Sequence, residues 1–204
     1  MSYVTATKRA LSEADILAFL NLRLEAGITL AFARDVFMFS LYMRGMPFVY
    51  IAYLKKGNLK NGILVYRGKK ANRPLIVEWE QVCQEIVERY AHQTEAPPDM
   101  LPIINQTDGT EYKRVQEKVN RTLKKFGVMK GLKTPLTAYV ARHSWASIAR
   151  GMNIPTPVIS EVMGHQSYKT TQVYLNYADV SKISEANRGL SYKEYVKERS
   201  KESE

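Results

Sequence analysis

The sequence predicts a mainly α protein with one small antiparallel β-ribbon (α+β), and three observations carry that prediction. Apolar residues recur at helical spacing over most of the 204 residues. The period switches to alternation in one place only, on either side of a basic tip rich in Gly, Asn and Pro. Hydrophobic residues make up 45% and charged residues 25%, a globular balance that excludes a disordered or membrane-embedded chain. The length suits one sizeable domain.

Each element can be justified in order. In "SEADILAFLNLRLEAG", Ser12 is a suitable N-cap, and Asp15 adds favourable charge at the third helical position. Ile16, Phe19, Leu20 and Leu24 follow helical spacing, and Gly27 suits a stop. "TLAFARDVFMFSLYMRG" is apolar around most of a helix and therefore reads as buried, with Pro47 interrupting it or starting the next short helix. "GILVYRGKKANRPLIVEW" reads as strand, turn, strand. "WEQVCQEIVERYAHQ" returns to helical spacing and holds the only cysteine, Cys83, as a small core residue. "TEAPPDMLPIINQTDGTE" is the proline-rich loop. Helices are then expected in "YKRVQEKVNRTLKKFG", "TPLTAYVARHSWASIARGM", "PTPVISEVMG", "SYKTTQVYLNYA" and "VSKISEANRGL". Residues 1–190 are expected to form the domain and the charged stretch 191–204 a frayed tail. No apolar run approaches the roughly 18 residues of a membrane span, and the N-terminus has no secretory h-region. A cytoplasmic protein is the expectation.

The net charge of +10 is concentrated. Lys55 to Arg73 holds seven Lys/Arg and no acid, and Lys113 to Arg142 holds nine Lys/Arg against Glu117 alone. These segments carry +7 and +8, so the remainder carries −5. A basic face on an otherwise acidic molecule fits a phosphate backbone, and equally a solvated lysine-rich surface.

Several chemistries lack their residues. The chain has no glycine-rich phosphate loop, no CxxC and no nucleophile elbow, and its three histidines have no metal-ligand spacing. Arginine, lysine, histidine and tyrosine on a basic surface suit phosphoryl chemistry without a metal.

The stretch "YVARHSWASIARGMNIPTPVISEVMGHQSYKTTQVYL" resembles the signature region of the tyrosine recombinase (phage integrase) family. That pattern is HxxR on one helix, LGH after the next, and a tyrosine shortly afterwards. Here Arg142 to His165 spans 23 positions and His165 to Tyr174 spans nine, in register with the family. The likeness runs from about Lys8 to Arg188, and "ARDVFMFSLYMRGMPFV" with "YLKKGNLKNGILVYRGKK" is most similar to integrases of conjugative transposons and related mobile elements.

The resemblance implies the tyrosine recombinase catalytic-domain fold and site-specific recombination of double-stranded DNA through a covalent 3′-phosphotyrosyl intermediate, with no metal or nucleotide cofactor. It makes Tyr174 the nucleophile, Arg142 a bidentate ligand of the scissile phosphate and His165 a hydrogen-bond partner of that phosphate. Physical chemistry agrees: attack builds charge on the non-bridging oxygens, and a phenol of pKa near 10 needs help to attack at neutral pH. The family draws the proton for the departing 5′-oxygen from a hairpin lysine, here Lys70 with Lys69 a close rival. Lys69, Arg73, Lys124 and Lys125 are expected against the DNA backbone.

Two positions depart from the family. Tyr139 stands at the HxxR histidine, as a substitute phosphate ligand or a packed aromatic. Pro47 stands where the family's first arginine falls, and Tyr50 where an acidic residue is common. Arg44, three residues before Pro47, would supply the guanidinium from one turn back if the helix were continuous. His143 is expected to be structural, and Tyr168 and Tyr177 to pack or face DNA.

Relatives carry a separate core-binding domain ahead of this one, which this chain is expected to lack. They also assemble on DNA as tetramers, here through the segment from Val180 onward. Two other classes fit the same residues: a non-catalytic DNA-binding protein with a degenerate recombinase fold, and a type IB topoisomerase-like relaxing enzyme.

Overall fold

Ser12 and Asp15 start the first helix as a reciprocal pair. The Asp15 amide donates to Ser12 Oγ at 3.1 Å and the Ser12 amide to the Asp15 carboxylate at 3.3 Å, so two orphan donors are satisfied. The computed structural model describes residues 10–21, 28–67, 74–94, 98–104, 111–132 and 135–164. Helix α1 (Glu13–Leu20) closes at Asn21, short of the stop expected at Gly27, which lies with Leu24 outside the described residues. Asn21 still donates its amide to Leu17 O at 3.0 Å.

Helix α2 (Ile28–Tyr42) is the centre of the fold. Val36, Phe37, Met38 and Phe39 are buried in succession, so the helix is covered on all sides as its sequence predicts. Its one buried acid, Asp35, accepts from Arg89 Nη1 at 2.6 Å, Tyr90 Oη at 2.8 Å and Arg34 Nε at 3.1 Å. Burying a carboxylate requires such partners. Helix α3 (Phe48–Ala52) follows with Pro47 as its N-cap, so the proline starts a short helix.

The ribbon is a three-stranded antiparallel sheet, β1 (Leu59–Lys60), β2 (Ile63–Arg67) and β3 (Pro74–Glu78), in that order. The added strand comes from Asn61-Gly62, both at positive φ (51° and 74°), the two-residue turn whose backbone twist matches paired strands. Leu64 pairs with Val77 and Tyr66 with Leu75 on the buried face, while Ile63, Val65 and Ile76 face outward. Lys69, Lys70 and Arg73 lie outside the described residues.

Helix α4 (Gln81–Arg89) buries Val82, Cys83 and Ile86, which bears out the core placement of the cysteine. Helix α5 (Glu111–Met129) buries Val119, Leu123 and Phe126 and leaves Lys124 and Lys125 exposed. Asn120 Oδ1 accepts from the Ala138 amide at 2.9 Å, so α5 caps the start of helix α6 (Ala138–Gly151). That helix begins after Thr137, which is extended, and not at Thr134-Pro135 as its pattern suggested. Helix α7 (Thr156–Val162) completes the described chain. Among the described residues no helix is long and apolar enough to cross a membrane.

Candidate active site

Arg142 lies on α6 at 7% exposure, with its guanidinium between two backbone segments. Nη1 donates to Gly45 O at 2.8 Å and Nη2 to Met163 O at 2.6 Å. One side chain therefore ties the turn after α2 to the turn after α7. The second of these turns leads directly into His165, which itself lies outside the described residues together with Tyr168, Tyr174, Tyr177 and everything to 204.

The turn after α2 corrects the expected position of Arg44. The helix ends at Tyr42, and Arg44 (φ 56°) and Gly45 (φ 71°) are both left-handed. Arg44 and Pro47 therefore do not share a helix face. The Gly45 amide donates to Ser40 O at 2.8 Å, and Ser40 Oγ donates to Met46 O at 2.8 Å, which locks the reversal. A non-glycine residue in this conformation costs about 1–2 kcal/mol, so the strain at Arg44 has to be maintained by its surroundings.

The reversal turns Arg44 inward, to 4% exposure. Its Nη1 donates to Ile76 O of β3 at 3.0 Å, while Nε and Nη2 are buried without a hydrogen-bond partner. Burial lowers its pKa to about 10, and the Tyr66 phenol and the Glu78 and Glu80 carboxylates offset part of that loss. Burial likewise lowers Arg142, offset in part by the phenols of Tyr139, Tyr66 and Tyr50. Among the described residues neither guanidinium forms an ion pair. Two buried cations, one of them with idle donors, suit an anion, since an oxyanion would satisfy both charge and hydrogen bonds.

Phenols line this site. Tyr66, on β2, is 8% exposed and lies near both guanidiniums, with its ring 5.9 Å from that of Tyr50. Tyr139 sits in the first turn of α6, 55% exposed, edge-on to His143 at 4.8 Å. His143 is half-buried beneath it, one turn along the same helix.

The structure thus brings Arg44, Arg142 and Tyr139 to one place and leaves Lys124 and Lys125 on the exposed side of α5. Sequence reasoning missed Tyr66 and Gly45. Alternation in "ILVYR" places Tyr66 on the face of Leu64, but nothing local says what that face meets. For Gly45 the available signal was a glycine just past a buried helix.

The chain is 31% identical over 84 residues to a tyrosine recombinase of Pseudothermotoga lettingae, covering 40% of this chain and 29% of that protein. It is 28% identical over 117 residues to the tyrosine recombinase XerA of Pyrococcus furiosus, covering 57% and 40%. The chain therefore spans less than half the length of the curated relatives it matches. Its fold is similar to that of the XerH site-specific recombinase bound to difH substrate in a pre-cleavage complex, with a TM-score of 0.59, 18% identity, and coverage of 87% of this chain and 50% of that one. It is also similar to the XerA recombinase, at 0.56, 17%, 93% and 63% respectively. The phage integrase family model matches residues 21–180, and the chain belongs to that family, the tyrosine recombinases.

Proposed function

We propose that this chain is the catalytic part of a site-specific DNA recombinase that serves the integration or excision of a mobile element in the cytoplasm. The observation that carries this reading is the convergence of Arg44 and Arg142, both buried, with two Arg44 nitrogens unpartnered. In the proposed reaction these guanidiniums hold the non-bridging oxygens of a DNA phosphodiester, with Tyr139 and His165 adding hydrogen bonds from the rim. The Tyr174 phenol releases its proton to water as its oxygen attacks phosphorus, the bond to the 5′-oxygen breaks, and Lys70 (or Lys69) supplies the proton to that oxygen. The 3′-phosphotyrosyl ester keeps the bond energy, so a 5′-hydroxyl can reverse the step on a new strand. Lys69, Arg73, Lys124 and Lys125 would hold flanking backbone, and the segment from Val180 would join subunits into a tetramer.

The test is covalent capture. Nicked suicide duplexes selected from a randomised pool should yield a protein–DNA adduct with the native chain and none with Tyr174→Phe. A native chain that binds duplex and never forms an adduct would instead support a DNA-binding role. The departures at Tyr139 and Pro47 are the observations that favour that second reading.

A further inference from the structure

Tyr66 has no counterpart in the roles assigned above, yet it is buried near both guanidiniums. Strand alternation puts it on the buried face of β2, paired across the ribbon with Leu75. On β3, the carbonyl that accepts from Arg44 belongs to Ile76, which is next to Leu75 and pairs with Val65. The Arg44 guanidinium is thereby fixed beside the Tyr66 position. Arg142 is tied to the residue next to Arg44 through its bond to Gly45 O, and it too lies near Tyr66. The tilted contact with Tyr50 holds the ring of Tyr66 from α3.

We propose that Tyr66 is a further phosphate-contacting residue of this site, whose hydroxyl donates to one non-bridging oxygen bound between Arg44 and Arg142. This rests on the reading of the pocket as the scissile-phosphate site. The chemistry suits the position. Two guanidiniums crowded together repel, and a third cation between them would be excluded. A neutral hydroxyl adds no repulsive charge, and it can turn its O–H to an anion when one arrives. Burial raises this phenol to about 12, with Arg142 and Arg44 offsetting part of the rise, so its proton stays in place at working pH. A donor that never titrates there complements Tyr174, which has to lose its proton. One hydroxyl also contacts one oxygen, so it discriminates between the two non-bridging positions.

That discrimination supplies the test. Single-turnover adduct formation is measured with the full chain on the captured duplex, carrying at the nick-adjacent scissile position either phosphate or a phosphorothioate of defined stereochemistry. Sulfur accepts hydrogen bonds poorly, so each diastereomer weakens one position. Tyr66→Phe keeps the ring and should slow the phosphate reaction on the order of a hundredfold, the usual effect of losing one oxyanion donor. The deficit should collapse on one diastereomer and persist on the other. An equal deficit on both, or a rate equal to native on phosphate, would overturn the proposal. Tyr66→His returns a ring donor and should recover part of the rate and the sulfur discrimination; a His variant no better than Phe counts against donation. A native chain that forms no adduct on any captured duplex would instead sink the reading of the pocket itself.

Discussion

Gly45 and Arg142 are in backbone contact: a Cβ added at Gly45 would lie 2.8 Å from Arg142 Cα and 3.0 Å from its Cγ. The same residues are joined by the hydrogen bond from Arg142 Nη1 to Gly45 O. Two segments 97 residues apart are thus fitted to each other at the point where both arginines enter the pocket. The contact explains why the residue after Arg44 has no side chain. It also fixes the left-handed turn that carries Arg44 inward.

Gly45→Ala should therefore be costly on two grounds. The left-handed backbone alone accounts for about 1–2 kcal/mol. The overlap is with backbone, which cannot swing aside like a flexible side chain. A lowered melting temperature is expected, together with a loss of adduct formation larger than the stability loss explains, because Arg44 and Arg142 are displaced together. Adduct formation at native rate, at a temperature where the variant is fully folded, would show that the contact is only packing.

Arg44 should behave in the opposite sense for stability. Its guanidinium is desolvated, lacks an ion pair among the described residues, and leaves two nitrogens idle. Replacing such a group by an apolar residue of similar length is often neutral or stabilising. Arg44→Met should melt at or above the native temperature while adduct formation falls roughly 10²–10³-fold, the usual loss for one transition-state donor. Arg44→Lys keeps charge but loses the planar fork, and should recover only part of the rate. A marked drop in melting temperature for the Met variant would make the arginine structural.

The pH dependence separates the pocket floor from its rim. Arg44, lowered to about 10, stays charged below that pH, and Tyr66, raised to about 12, stays neutral. The floor therefore does not titrate between about pH 6 and 9. In the proposed site the rim group of a type that titrates in this range is His165. An anion favours the imidazolium, so binding to it raises the histidine pKa, and affinity should rise as pH falls through that region. In the Tyr174→Phe background at constant ionic strength, duplex affinity should show this step with His165 and lose it in His165→Gln. Above about pH 10 the sign is the same, because losing the Arg44 charge weakens anion binding. A step that survives in His165→Gln would place the titrating group elsewhere.

The sequence was most legible where local rules decide the outcome. Ser12 with Asp15, the all-round apolar α2 and the alternation in "ILVYR" each encode an element without help from the rest of the chain. Asn61-Gly62 holds a two-residue hairpin signal that sequence reasoning missed, and it accounts for the strand the pattern did not count. The site was harder to read because its geometry is non-local. Arg44 reaches the pocket through a left-handed turn, whereas helical spacing would have aimed it from α2. Tyr66 lies near the arginines only because the fold brings β2 close to segments distant in sequence. The order and spacing of Arg142, His165 and Tyr174 resemble a family pattern, whereas the placement of Arg44 and Tyr66 follows from packing.

Gly164 extends this dependence to the residue before His165. It is left-handed (φ 73°), and an added Cβ would lie 3.0 Å from Leu75 Cδ1. Leu75 is the cross-strand partner of Tyr66, so the same β-pair supports the pocket floor and seats the turn after α7. Arg142 holds that turn from the other side through Met163 O. Gly164→Ala should therefore impair adduct formation by two separable effects, backbone strain and the clash with Leu75. Leu75→Ala removes the clash alone. In a double-mutant cycle the two substitutions should couple favourably, the pair being less impaired than the single effects combined, by roughly 0.5–3 kcal/mol for residues in contact. Full additivity in the rate of adduct formation would mean that Leu75 does not seat the turn, and that the defect of Gly164→Ala comes from its backbone alone.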